Sequence, residues 1–319
     1  MNKEFFEIIR PGIHTTIQDQ GRLNKYHIGI PFSGSMDQRN YLISNQLLGN
    51  NLNESSLEFA YQGPLIKLNS GKLTGVITGN VTFNIIRKNS KVDKGICYQT
   101  FEINDGDQLD IISTNRSVYG YFSIKNGFKG DYIWGSCSVN TKAKIGSNNG
   151  EKFSKDQKIY INKSENLSNQ KKVNYFNSKI EYIRVLKGTN YNYFSEKSKK
   201  IFFSKEFTIS KLTDRMGMRL EGNKIESILE TNIRSEGLIK GVIQVPPDGN
   251  PIIMLSDHGT IGGYPKIAVV ISADYDRLVQ IPPGSKIKFK PVELIEAENL
   301  FRLYRMETEN ILNKIIWIF

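Results

Sequence analysis

The sequence predicts a mainly β protein whose antiparallel sheets close into barrels or sandwiches. Short runs rich in β-branched and aromatic residues recur through both halves, bounded by Gly, Asn and Asp. Few stretches between them are long enough for a helix. One β-turn-β pattern returns as "INDGDQLDI" (103–111) and "IPPGSKIKF" (281–289), with "FSKDQKIYI" (153–161) as a looser copy. In the first two an apolar residue leads, Gly stands fourth and an alternating strand follows, which points to two related barrel units.

In chain order, strands are expected at "KLTGVITGN" (72–80), "VTFNIIR" (81–87), "ICYQTFEI" (96–103), "QLDIIST" (108–114) and "VYGYFSI" (118–124). A helix from about Met36 to Leu48 precedes them. Ser35 with Gln38 fits a capping box, Asp37 suits the first-turn dipole and Gly49 ends it. The polar stretch 163–178 is the linker candidate. Strands resume at "EYIRVLKG", "EFTIS", "GVIQV", "PIIMLS", "KIAVVIS" and "KIKFK". A second helix starts near Glu293, with Leu294, Ala297, Phe301 and Tyr304 on one stripe. The tail "IIWIF" is expected to pack on the body rather than to form a contact between subunits. The expected domains are 1–165 and 178–319, the second carrying the C-terminal helix.

The chain has 319 residues, 39% hydrophobic and 24% charged, as a globular protein has. No apolar run is long enough to span a bilayer, and "MNKEFFEIIRPG" lacks a signal-peptide core, so a cytoplasmic protein without membrane contact is expected. Two cysteines without CxxC, and three scattered histidines, give no metal or disulfide pattern. His27 and His258 read as loop hydrogen-bonding groups. The net charge of +11 raises nucleic-acid binding, but the lysines scatter and no recognition helix or stacking platform appears. The charge reads as a solvated surface, with attraction for anionic substrates second.

Four polar clusters interrupt the strands. "TTIQDQGRLNKYHIGIPFSGSMD" (15–37) holds Gln18, Asp19, Arg22, Ser33 and Asp37, and feeds a helix N-terminus whose N–H groups suit an anion. The alternative is a surface loop of Asx and Ser turns. "TDRMGMRLEG" (213–222) places Arg215 and Arg219 an even step apart on one side of a strand, with either an acid or an anionic ligand between them. In "SEGLIKGVIQVPPDGNP" (235–251), Pro-Pro-Asp-Gly is a hairpin turn, and the amide of Gln244 must find partners if it points inward. In "DHGTIGGYPKI" (257–267), Gly262 and Gly263 permit positive φ or close ligand approach. Lys266 offers a point charge, or solvates a strand edge. No P-loop, GxGxxG, GxSxG or Met-Lys-Met biotin-acceptor sequence occurs, so ATP is expected to be bound with partner machinery and biotin is not carried by this chain.

Taken together, these clusters with "NQLLGN" (45–50), "LEFAYQGP" (57–64) and "GGYPKIAVVISAD" resemble the biotin-dependent carboxyltransferase-like family, in order from about residue 5 to about residue 295. The family includes the second subunit of allophanate-hydrolase-like proteins, the carboxyltransferase part of urea carboxylase and the C subunit of bacterial ATP-dependent 5-oxoprolinase. The resemblance implies two tandem cyclophilin-like β-barrels with few short helices and a C-terminal helix. For a chain of this length it implies the oxoprolinase role, the ATP-driven opening of 5-oxo-L-proline to L-glutamate. The partners so implied are the A and B subunits of that enzyme, the latter similar to the first subunit of allophanate hydrolase. Carboxyl transfer from biotin on another protein, and regulation of a sporulation-kinase inhibitor, are the alternatives. Matching positions add Glu58, Glu236 and Tyr264 to the site. Asp257 is expected as acid or base, Gln244 and Thr260 as orienting the amide, and Lys266, Arg215 and Arg219 as holding a carboxylate or phosphorylated intermediate. The chain departs from the family at His258-Gly259 (often Arg-Gln), Met218 (often Tyr), Lys240 (often Pro) and Cys137 (often Arg).

Overall fold

The computed structural model describes residues 4–163, 165–175, 180–229 and 232–318. The chain is mainly β and divides into two compact units. One comprises Met1–Arg22, Ser33–Phe176 and Thr308–Phe319; the other comprises Leu23–Phe32 and Asn177–Glu307.

The first unit holds two sheets. One runs in the order Lys158–Tyr160, Phe5–Arg10, Leu65–Asn69, Gln108–Thr114, Val81–Ile86, Val92–Lys94. The other runs His14–Gln18, Ser56–Ala60, Tyr119–Ile124, Lys72–Thr78, Thr100–Asn104. Alternate residues of both face one core, where Phe6, Leu68, Phe83 and Leu109 meet Leu57, Phe59, Ile77 and Phe122 without access to water. Phe6 and Phe122 meet edge-to-face at 5.7 Å. Tyr119–Ile124 is buried along its whole length because the helix Gln38–Leu48 covers its other face. There Ser123 bonds to Ser44 at 2.7 Å and to Ser56 at 2.6 Å.

That helix starts two residues later than its expected start, Met36, and the cap differs. Asp37, not Ser35, is the N-cap, its carboxylate accepting the N–H of Asn40 at 3.0 Å. The Ser35 N–H goes instead to the carbonyl of Asp19 at 2.9 Å, which ties the loop down before the helix begins. Gly49 ends the helix at φ 61°. Much of the stretch read as a linker is fixed to this unit: Thr74 donates to the Glu165 carbonyl, and Gln170–Lys172 pairs with the tail strand Ile316–Ile318. Residues 164 and 176–178 of that stretch lie outside the described residues. Of the apolar tail, Ile315 packs beside Ile43 and Leu47, whereas Ile316 is 47% exposed.

The second unit is built on one eight-stranded sheet. Its order is Lys286–Ile287, Phe207–Ile209, Gly217–Glu221, Ile252–Met254, Val242–Gln244, Lys266–Val270, Ile183–Lys187, Phe289–Pro291. The first and last strands are separated by Lys288 alone, so the sheet returns nearly onto itself as a barrel. The helix Glu196–Ser204 sends Phe202 against Phe289, the rings stacked at 4.5 Å. The helix Ser272–Leu278 follows "KIAVVI", where no helical signal is readable from the residues; fully buried Asp274 anchors it to Arg184. On the C-terminal helix Leu294–Asn313, Ala297 and Tyr304 pack as expected, whereas Leu294 is 59% exposed. Among the described residues no helix is long and apolar enough to cross a membrane.

The recurring turn is the same object three times. Gly106, Gly284 and Asp156, each fourth in its copy, have φ of 85°, 85° and 67°. Each donates its N–H to a neighbouring strand, to Leu68, Ile209 and Ile8 at 2.9, 2.8 and 2.9 Å. Each acceptor residue returns a bond to the next carbonyl of the turn, Asp107, Ser285 or Gln157, at 3.0, 2.9 and 3.0 Å. The looser copy is therefore equivalent in geometry, with Asp taking the left-handed position that glycine takes elsewhere.

Candidate functional site

In the first unit the polar loop is a buried hydrogen-bond hub. Asp19 is inaccessible, and its Oδ1 accepts from Gly21 N–H (2.8 Å), Ser136 Oγ (2.6 Å) and Ser138 Oγ (2.5 Å). Its Oδ2 accepts from Cys137 N–H at 2.8 Å. Arg22, also buried, donates to the carbonyls of Ile133 and Ser138. Gln18 donates to Thr16 and to the Val139 carbonyl. Ser33, at φ 57°, accepts from Asn140 at 3.2 Å. Glu58 accepts from Met36 N–H and Tyr121 Oη, both at 2.7 Å, and Tyr121 Oη accepts from Asp37 N–H at 2.8 Å. Burial, then the nearby Glu58 and Asp37 charges, hold the Tyr121 phenol protonated by pushing its pKa well up.

These six residues, proposed from sequence as ligand-binding, are thus brought together, and the bonds described for them run within the chain. Those of Gln18, Asp19, Arg22 and Ser33 hold these residues to the 133–140 segment. Cys137 is a core residue; burial first, and the Asp19 charge second, push its thiol pKa up.

The second unit holds the other cluster. Asp257 grips Arg215 as a fork, 2.8 Å from Nε and 3.0 Å from Nη2, both side chains buried. Arg219 does not join them. Arg215 precedes the strand Gly217–Glu221, and Arg219 within it is exposed, so the even-step inference fails where the chain is not yet extended. Lys266 is 3% exposed and its Nζ meets Glu236 at 2.6 Å. Glu236 stands opposite Gly262 in a two-residue ladder.

The inward Gln244 amide finds its partner in the Tyr264 carbonyl at 3.0 Å. Gly262 is needed for space rather than for φ. A Cβ there would lie 2.8 Å from Gln244 Nε2 and 2.8 Å from Leu238 Cδ1. Neither Gly262 nor Gly263 has positive φ, which corrects one of the two reasons expected for them. Gly263 accepts the Ile233 N–H at 2.9 Å, Thr260 is half-buried with its carbonyl bonded to Leu238 N–H, and Tyr264 is exposed.

Lys240 and His258 were not singled out as site residues. Lys240 Nζ sits 4.3 Å from the Tyr275 ring centre and 5.4 Å from that of Phe32. His258, 1% exposed, is bonded through Nε2 to Tyr26 Oη at 3.2 Å and through Nδ1 to the Gly259 carbonyl at 2.6 Å. Nδ1 must donate to that carbonyl, and in the neutral ring Nε2 accepts from the phenol. Burial lowers the His258 pKa, and the Lys240 charge lowers it further. Two departures from the family pattern, Lys240 and His258, thus feel each other electrostatically. Nothing local in the sequence links Phe32, Lys240 and Tyr275. Among the described residues no group of three or more His, Cys, Asp or Glu side chains is placed to hold a metal ion.

Residues 28–291 match the family described as carboxyltransferase domain, subdomain A and B. The chain is 30% identical over 299 residues to the C subunit of 5-oxoprolinase from Escherichia coli K12, covering 91% of this chain and 92% of that protein. It is 26% identical over 323 residues to urea amidolyase of Lachancea kluyveri, covering 92% of this chain but 17% of that protein. The crystal structure of Kluyveromyces lactis urea amidolyase superposes with a TM-score of 0.87 at 22% identity, covering 99% of this chain and about a fifth (21%) of that one.

Proposed function

The chain belongs to the carboxyltransferase family of subdomains A and B, and from that premise we propose that it is the C subunit of an ATP-dependent 5-oxoprolinase. The observation that carries the reading is coverage: the similarity to the 5-oxoprolinase C subunit spans nine-tenths of both chains, 91% and 92%, and is not confined to one part of a larger enzyme. In this reading the complex is cytoplasmic, opens 5-oxo-L-proline to L-glutamate, and includes the enzyme's A and B subunits. A lactam is a stable amide, so its hydrolysis is driven by coupling to ATP. ATP is bound with the partner subunits, since this sequence has no phosphate-cradling motif.

The substrate meets the second unit's cluster, where the Gln244 amide and the Lys266 ammonium are held beside Gly262–Tyr264. Arg215 and Asp257 give that cluster its shape, each neutralising the other's charge. The test is reconstitution. The chain mixed with the A and B subunits, ATP and 5-oxo-L-proline is expected to release glutamate and ADP, and omission of this chain to stop both. Glutamate release that is indifferent to this chain refutes the reading.

The similarity to urea amidolyase favours a second reading, carboxyl transfer from biotin borne by another protein. The same mixture decides it, because only that reaction is stopped by avidin.

A further inference from the structure

We propose that Lys240 is the anion-recognising residue of the second unit's cluster and receives the carboxylate of a small-molecule substrate. The assignment rests on the reading above for the identity of that substrate, though not for the presence of the anion site.

The argument begins with the other cations. Arg215 is paired with Asp257, and Lys266 with Glu236. Arg219 points to solvent. Lys240 differs from all three: it is part-buried, and among the described residues no carboxylate pairs with it and no acceptor takes its hydrogens. Its contacts are the faces of Tyr275 and Phe32. Aromatic faces attract and orient an ammonium without cancelling its charge. Arg215, of the same sign, lies within electrostatic reach and opposes it; Asp276 lies within reach and favours it. The Asp276 carboxylate also accepts the Tyr304 hydroxyl and makes no direct ion pair with Lys240. His258, also in range, has its pKa lowered chiefly by burial and brings no negative charge.

Taking an ammonium out of water costs free energy unless a counter-charge meets it. Here the chain supplies the two rings and leaves Asp276 within electrostatic reach, but among the described residues no carboxylate bonds to the ammonium directly. A ligand anion completes the pair and gains a charge-assisted hydrogen bond. The surroundings of Lys240 also indicate which anion. Lysine is a single point charge, and two aromatic ring centres lie 4.3 and 5.4 Å from it. A monoanionic carboxylate on a small ring suits one ammonium beside two aromatic rings. A phosphate dianion would need further donors, and the guanidinium of Arg215 is already taken by Asp257.

The test uses the full chain alone and two lactams that differ only in the carboxylate, 5-oxo-L-proline and 2-pyrrolidinone, with acetate and inorganic phosphate as further probes. Binding is read by calorimetry or ligand-observed NMR. The wild type is expected to prefer 5-oxo-L-proline over 2-pyrrolidinone by about tenfold or more, the scale of one charge-assisted hydrogen bond. Lys240→Met abolishes that preference, and Lys240→Arg retains part of it; melting curves confirm that both variants fold. Lys240-dependent binding of acetate without preference for 5-oxo-L-proline keeps the anion site and removes the oxoprolinase reading. Unchanged carboxylate binding in folded Lys240→Met overturns the inference, as does phosphate binding as tight as that of the carboxylates.

Discussion

Asp257 and Arg215 are joined twice, by the side-chain fork and by a backbone bond from Asp257 N–H to the Arg215 carbonyl at 2.9 Å. This double join holds the loop that opens with Asp257 against the segment entering the strand Gly217–Glu221. Removing one partner strands the other charge out of water. Arg215→Met or Asp257→Asn is therefore expected to cost about 3–5 kcal/mol of stability. Replacing both, Arg215→Met with Asp257→Leu, is expected to restore more than half of that loss. Urea unfolding of the three variants checks this; single variants as stable as the wild type would return the pair to the groups free to meet substrate.

Lys240 carries a pH dependence whose sign is fixed by its surroundings. Burial, and then the like charge of Arg215, lower its pKa below the ordinary lysine value. In the window between the lowered value and that of an exposed lysine, about 10.4, the unfolded chain holds the proton more tightly than the folded one. Stability from this group therefore rises with pH through that window and is at its lowest below it. Lys240→Met removes the penalty, so its stability at neutral pH exceeds that of the wild type and the alkaline rise flattens. Urea midpoints measured from pH 7 upward test both statements. A gain in stability together with the loss of carboxylate binding is the behaviour of a residue kept for recognition rather than for folding.

Gly262 and Gly263 are adjacent, and neither has positive φ, so alanine at either tests space alone. At Gly262 the new Cβ falls on the Gln244 amide and on Leu238, both at 2.8 Å. The amide must leave the Tyr264 carbonyl to make room, and Gly262→Ala is expected to cost about 1–3 kcal/mol and to depress any turnover that needs Gln244. At Gly263 the nearest atom is the Ile233 carbonyl oxygen at 3.1 Å, so Gly263→Ala should cost less. Equal losses at the two positions, in thermal melts and in reconstituted turnover, would remove Gln244 from the explanation.

The strands were legible because alternation and turn residues are local properties, and "QLDIIST" is a strand over the same residues, Gln108–Thr114. The roles of the polar clusters were not, because their partners are remote. Asp19 looks like a ligand-binding carboxylate until Ser136 and Ser138, more than a hundred positions away, are seen to fill Oδ1. Arg215 and Asp257 were both visible, but not that they bind each other across 42 positions. Lys240 was visible only as a departure from a pattern. What makes it unusual is the pair of rings from Phe32 and Tyr275, distant in sequence on either side of it. The expected helix cap failed because Asp37, two residues on, takes the N-cap place and accepts the Asn40 N–H.

The repeated turn gives a test in which three equivalent sites differ in one residue. Gly284 has open space around its missing side chain, so Gly284→Ala pays only for an L-residue at φ 85°, about 1–2 kcal/mol. Gly106→Ala carries the same backbone term and sets a Cβ 2.9 Å from Lys88 Cδ, which is flexible and can move; its cost should be similar or slightly larger. Asp156 already occupies the position as an L-residue. Asp156→Gly relieves that strain but frees the unfolded chain, so its net effect is expected near zero. Urea unfolding of the three variants separates them. A loss at Asp156→Gly as large as at Gly284→Ala would mean that the aspartate side chain, rather than the left-handed backbone, holds that copy of the turn.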